Sequence, residues 1–147
     1  MTKGLVQSYN TVSARLITEH TNPGDVIALV QKCGITSRLD AVPALSLGAG
    51  GDVSPLELTT AYSIFANNGI YVSPYFFERI EDRFGEVVSE RKPFASISDV
   101  IDREIASQMT YMMQQVVVSG TATRVREYFK NVDAAGKTGT TNDAADA

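Results

Sequence analysis

Apolar positions along the chain recur first at helical spacing, then in alternation, then at helical spacing again. Residues 8 to 20, "SYNTVSARLITEH", carry a short apolar stripe of Val12, Leu16 and Ile17, and predict a helix with Ser8 or Asn10 as its cap. A second helix follows with clearer punctuation. Asn22 is its N-cap, Pro23 its first residue, and Gly34 lies past its last turn, with Val26, Ile27, Leu29, Val30 and Cys33 on one face. A third opens at "SPLE", where Ser54 and Glu57 form a capping box around Pro55, and stops at Gly69. Leu58, Ala61, Tyr62, Phe65 and Ala66 predict its buried stripe.

Between the second and third helices, residues 35 to 53 read as a loop with Pro43 and the glycines of "LGAGGDV". After Gly69 the period changes. "GIYVSPYFFERIED" and "EVVSER" flank "RFG" and predict a hairpin or a pair of short strands. A long helix is expected from about Ser98 to Val118, on the spacing of Val100, Ile101, Ile105, Met109, Met112, Met113, Val116 and Val117, with Gly120 ending it. "TATRVREYF" adds a further helical turn, and "NVDAAGKTGTT" reads as the entry to a strand and the strand itself.

Composition changes this picture little. The 147 residues are 44% hydrophobic and 20% charged, enough for one domain with a modest core. The net charge of −4 and the absence of a basic cluster larger than Arg91-Lys92 argue against nucleic acid as a partner. No apolar run reaches the roughly 20 residues of a membrane span, and Lys3 is followed by a polar stretch rather than the apolar run of a signal peptide. One cysteine excludes an internal disulfide and a Cys-based zinc site.

The chemistry concentrates in "AAGKTGTT", residues 134 to 141. A phosphate-binding P-loop fails twice: its first glycine falls on Asn131, and no helix follows the lysine. The alternative is a K-T-G strand, on which a cation and a hydroxyl meet a carboxylate and the glycine admits a substrate backbone. Its partner is "SYN", Ser8 to Asn10, of the form S-x-N. These are two of the three elements S-x-x-K, S-x-N and K-T-G of serine acyl-transfer enzymes, in the right order.

"SYNTVSARL", "LSLGAGGDVSPLELTTAYSIFANNG", "QQVVVSGTAT" and "AGKTGTTNDAADA" together resemble the transpeptidase domain of class A penicillin-binding proteins. The resemblance runs through nearly the whole chain. It implies an α+β, helix-rich fragment of the β-lactamase/transpeptidase-like fold, residues 1–147, with a short hairpin and a terminal strand. It implies a peptidoglycan D,D-transpeptidase that cross-links stem peptides through a serine acyl-enzyme and is acylated by β-lactam antibiotics. Ser8 would join a proton-transfer network and Asn10 would bond the substrate's amide. Lys137 would shape the positive field, Thr138 and Thr140 would bind the terminal carboxylate, and Gly139 would allow close approach. No cofactor or metal is implied.

By the same resemblance the nucleophile's S-x-x-K lies upstream of Met1, so the isolated chain is expected to be inactive. The parent is expected at the outer face of the bacterial cytoplasmic membrane, with an anchor and a glycosyltransferase domain. A fragment stripped of sheet neighbours is expected to be marginally stable or to self-associate. The internal "SERK", Ser89 to Lys92, follows a strand-like segment and runs into Pro93, which suits a chance occurrence rather than a nucleophile. His20 reads as a surface or capping residue, the methionine stripe as core, "GAGG" as a tight loop, and Asp52, Glu57, Asp143 and Asp146 show no metal-ligand spacing. Two other readings are a non-catalytic binding or regulatory module of the same fold, and a serine β-lactamase-like hydrolase.

Overall fold

Helix-start signals in the sequence fix most of the architecture. The computed structural model describes residues 1–91, 97–130 and 132–140. A short helix α1 (Thr2–Val6) leads through a tight turn into α2 (Asn10–Arg15), which widens into a π-helical turn over Leu16–His20. α3 (Pro23–Lys32) begins where predicted: the Asn22 side chain accepts a hydrogen bond from the Asp25 amide at 2.9 Å, and Pro23 fills the first position. A 3₁₀ turn (Pro43–Leu47) precedes α4 (Pro55–Ala66), which opens on the expected Ser54–Glu57 capping box.

The box does more than cap. Glu57 also accepts hydrogen bonds from the amide and hydroxyl of Thr36 and of Ser37, at 2.7 to 2.8 Å. Together with the Ser54 amide and hydroxyl, both donating to Oε2, this fastens the end of α3 to the start of α4. These charge-assisted bonds hold the Glu57 carboxyl far below the usual carboxylate range, the Ser54 amide contributing most.

Two small antiparallel sheets follow. β1 (Ile70–Val72) pairs with β4 (Ile97–Asp99), Tyr71 opposite Ser98. β2 (Arg79–Glu81) and β3 (Val87–Glu90) form the predicted hairpin, Ile80 opposite Ser89. Its turn is held by Asp82 Oδ1, which accepts from the amides of Phe84 and Glu86. Ser89 lies on this exposed strand, in keeping with a chance S-x-x-K; Lys92 falls outside the described residues. The long helix, α5 (Arg103–Ser119), starts later than its apolar periodicity predicts, because residues 97–99 pair with β1 instead. α6 (Val125–Tyr128) is the expected extra turn.

The core is small. Val6, Ile17, Ile35, Ile64, Ala106, Met113, Val116 and Val117 are its buried apolar residues. The stripe predicted to be buried on α4 is a correction. Leu58 and Tyr62 are 47% and 40% exposed, while Thr60 and Ile64 are buried. The reason is an open apolar groove of about 490 Å³ between α3, α4 and α5. Leu58, Ala61, Tyr62 and Phe65 form one of its walls, Leu29, Val30 and Cys33 another, and Ile105 and Met109 its third. Met113 is buried at the floor of this opening, and Met109 lines it as well. Burial nevertheless pushes the Cys33 thiol upward.

The expected terminal strand is not laddered. Residues 132–140 carry no strand pairing among the described residues. A strand is defined by its neighbour, and here the segment is tied instead to α5, by the Gly136 amide donating to the Met113 carbonyl at 3.3 Å.

Candidate active site

The site forms where the first turn of the chain meets residues 136 to 138. Ser8 sits between α1 and α2 at φ 54°, in the left-handed region that only glycine enters freely. Two backbone bonds hold it there: the Ser8 amide donates to the Leu5 carbonyl at 3.1 Å, and the Tyr9 amide to the Gly4 carbonyl at 2.9 Å. A strained residue held by its surroundings is a mark of functional sites.

Lys137 reaches this turn. Its Nζ donates to Ser8 Oγ at 2.8 Å and to the Thr138 carbonyl at 2.8 Å, with Thr138 Oγ1 at 3.4 Å. The Ser8 contact joins residues 129 positions apart. Lys137 is partly buried and also lines the apolar groove, and this desolvation lowers its pKa from the ordinary lysine value. Thr138 Oγ1 lies 2.7 Å from Thr121 Oγ1.

Of the predicted site residues, Ser8, Lys137 and Thr138 form one hydrogen-bonded cluster. Asn10 is the first residue of α2, exposed, with Tyr9 rather than itself in the cap position. Neither Ser8 nor Asn10 caps the helix by its side chain, so that reading of the two residues is corrected. Asn10 makes no side-chain hydrogen bond among the described residues, and Thr140 makes none either. Gly139 has open space where a side chain would begin. Packing among the described residues therefore does not explain why that position is a glycine. His20 is exposed at the end of the π-helical turn.

Sequence reasoning missed Thr121. The signal was the "SGTAT" segment at the end of α5, quoted for its likeness but given no role. Gly120 there has no room for a side chain: a Cβ would overlap the Val6 carbonyl and the backbone of Val116. The Thr121 amide donates to that same Val6 carbonyl at 3.3 Å, and Gln7 Nε2 donates to the Ser119 carbonyl at 3.4 Å. The end of α5 is thus pressed against the turn that carries Ser8.

A lysine, two hydroxyls within its reach, and open space by Gly139 place a cation and hydroxyl donors side by side. Among the described residues, no group of three or more His, Cys, Asp and Glu is placed to hold a metal ion, and no helix is long and apolar enough to cross a membrane.

The chain is similar to known proteins in sequence and in fold. The family model described as the penicillin binding protein transpeptidase domain matches residues 28–147. Penicillin-binding protein 1A of Neisseria meningitidis is 36% identical over 149 residues, covering 99% of this chain and 18% of that protein. Its counterpart from Aquifex aeolicus is 34% identical over 151 residues, covering 96% of this chain and 20% of its own length. The chain therefore spans about a fifth of the length of these relatives. Among solved structures, penicillin-binding protein 1A from Haemophilus influenzae superposes with a TM-score of 0.82 at 28% identity, over 96% of this chain and 26% of that one. The D,D-transpeptidase domain of a peptidoglycan glycosyltransferase from Eggerthella lenta shares the fold, with a TM-score of 0.75 at 21% identity, over 95% of this chain and 41% of that one.

Proposed function

The chain belongs to the penicillin-binding protein transpeptidase domain family, and from that premise we propose that it supplies one wall of a peptidoglycan D,D-transpeptidase site. The substrate is a stem peptide ending in D-Ala-D-Ala. A serine nucleophile from an S-x-x-K segment, outside these 147 residues, attacks the penultimate carbonyl and expels the terminal D-Ala. An amine of a neighbouring strand then takes the acyl group. β-Lactams acylate the same serine. The parent works at the outer face of the cytoplasmic membrane.

Each of the site residues has a task in that scheme. Lys137 donates to Ser8 Oγ, so the Ser8 proton is free to pass to the leaving nitrogen while Lys137 replaces it. The lowered Lys137 pKa makes that replacement easier. Lys137 and Thr138 attract the substrate carboxylate, with Thr140 beside them. Asn10, two residues beyond Ser8, offers a carboxamide to the substrate amide. Gly139, unconstrained by packing, lets the peptide lie against the backbone.

The observation that carries this reading is the 2.8 Å bond between Lys137 and Ser8, which joins the two motifs. The test is covalent labelling of the gene-encoded protein by a fluorescent penicillin, retained through denaturation. Labelling of that protein and none of the isolated 147-residue chain is the expected pattern. A folded gene-encoded protein that takes no label defeats the reading.

A further inference from the structure

We propose that Thr121 is a positioning residue that sets the Thr138 hydroxyl to donate a hydrogen bond to the substrate carboxylate. The inference rests on the transpeptidase reading above and assigns a residue outside the S-x-N and K-T-G motifs.

The proton count leads to it. Lys137 carries only donors: two go to Ser8 Oγ and the Thr138 carbonyl at 2.8 Å, and Thr138 Oγ1 is 3.4 Å away. The remaining neighbour of Thr138 Oγ1 is Thr121 Oγ1, at 2.7 Å. Between these two, either hydroxyl can donate to the other. A carboxylate accepts only. Once it accepts the Thr138 O–H, the bond between the two threonines survives in one direction alone, with Thr121 donating. Thr121 thereby fixes the Thr138 oxygen in place and strengthens its outward donation by polarising it.

Thr121 is built to stay put. Gly120 allows α5 to close on Val6, and the Thr121 amide is bonded to the Val6 carbonyl. Its side chain is exposed, so changing the hydroxyl leaves the core alone.

The test uses the gene-encoded protein with Thr121→Val, which keeps the shape without the hydroxyl, and Thr121→Ser, which keeps the hydroxyl. Acylation rates are compared for a penicillin with its free carboxylate and for its methyl ester. Thr121→Val is expected to slow the free acid by up to about tenfold, the upper end of what one neutral hydrogen bond contributes. The ester rate stays level, Thr121→Ser stays within about twofold of the original on both compounds, and both variants keep the original melting midpoint. Equal rates in Thr121→Val and the original, equal losses on acid and ester, or a Thr121→Ser loss as large as that of Thr121→Val would each overturn the inference while leaving the transpeptidase reading intact. An unsubstituted protein that takes no label overturns both.

Discussion

Lys137 Nζ donates to Ser8 Oγ at 2.8 Å, and Ser8 meets it from a left-handed backbone turn. Conformation and chemistry can be separated at this residue. Ser8→Ala removes the hydroxyl and keeps the strain, whereas Ser8→Gly removes both. Acylation of the gene-encoded protein is expected to fall about a hundredfold or more in either variant, the lower end of what general acid–base groups supply. Thermal denaturation should place Ser8→Gly above Ser8→Ala by about 1 kcal/mol, the left-handed penalty of a residue with a Cβ. Equal melting of the two variants would remove the case for strain.

Lys137 should titrate below the ordinary lysine value of about 10.4, since burial disfavours its charged form. Because its folded pKa is the lower one, the unfolded chain binds more protons between the two values. This group's contribution to stability therefore rises with pH across that window. The Cε resonance of Lys137 reports the midpoint directly. A midpoint at or above that of an exposed lysine contradicts the desolvation.

Glu57 gives the opposite end of the pH scale. Its folded pKa is depressed by its hydrogen bonds to Ser54, Thr36 and Ser37, so its stabilisation is complete above the unfolded value of about 4.3 and is lost as pH falls below it. Glu57→Gln should melt several degrees lower at neutral pH. The gap to the original protein should narrow as pH drops below about 4, where the unfolded chain protonates this carboxyl while the folded protein still holds it ionised. A gap that stays constant with pH would show that shape, not charge, holds the junction.

Gly120→Ala should cost about 1–3 kcal/mol, the range for overpacking a tight contact, because the new methyl meets the Val6 carbonyl and Val116. It should also slow acylation more than Thr121→Ser does, since it pushes Thr121 away from Thr138. Chemical denaturation alongside labelling checks both; an unaffected midpoint would mean that α1 and α5 part at no cost.

The open groove predicts that the 147-residue chain associates with itself. An apolar cleft with Leu58 and Tyr62 at 47% and 40% exposure attracts a second apolar surface. Sedimentation should show concentration-dependent association that the double variant Leu58→Glu, Tyr62→Glu abolishes. A monomer at all concentrations, or association unchanged in the double variant, argues against the groove as the contact.

How much of this was legible in the sequence depended on distance along the chain. Asn22 with Pro23, and Ser54 with Glu57, are local signals, and both helices start there. The hairpin around "RFG" is equally local. The pairing of residues 97–99 with β1 is not, and the apolar periodicity that runs on into α5 hid it. The Thr36 and Ser37 bonds to Glu57 cross some twenty positions and left no pattern. Apolar spacing identified the inward faces of α3 and α4 but could not tell a core from a groove, since both demand the same residues. At the site, likeness to a family singled out Ser8 and Lys137, while Thr121 became visible only as a neighbour of Thr138.

The bond between Ser8 and Lys137 closes a loop of nearly the whole chain. During synthesis that bond cannot form until residue 137 has left the ribosome, and a misplaced helix between the two residues would pull them apart. The entropy of closing so long a loop is recovered only when the intervening helices have docked. Acylation of the gene-encoded protein is thus also a folding reporter, and a lesion that undocks the helices between Ser8 and Lys137 should lower it without touching either residue.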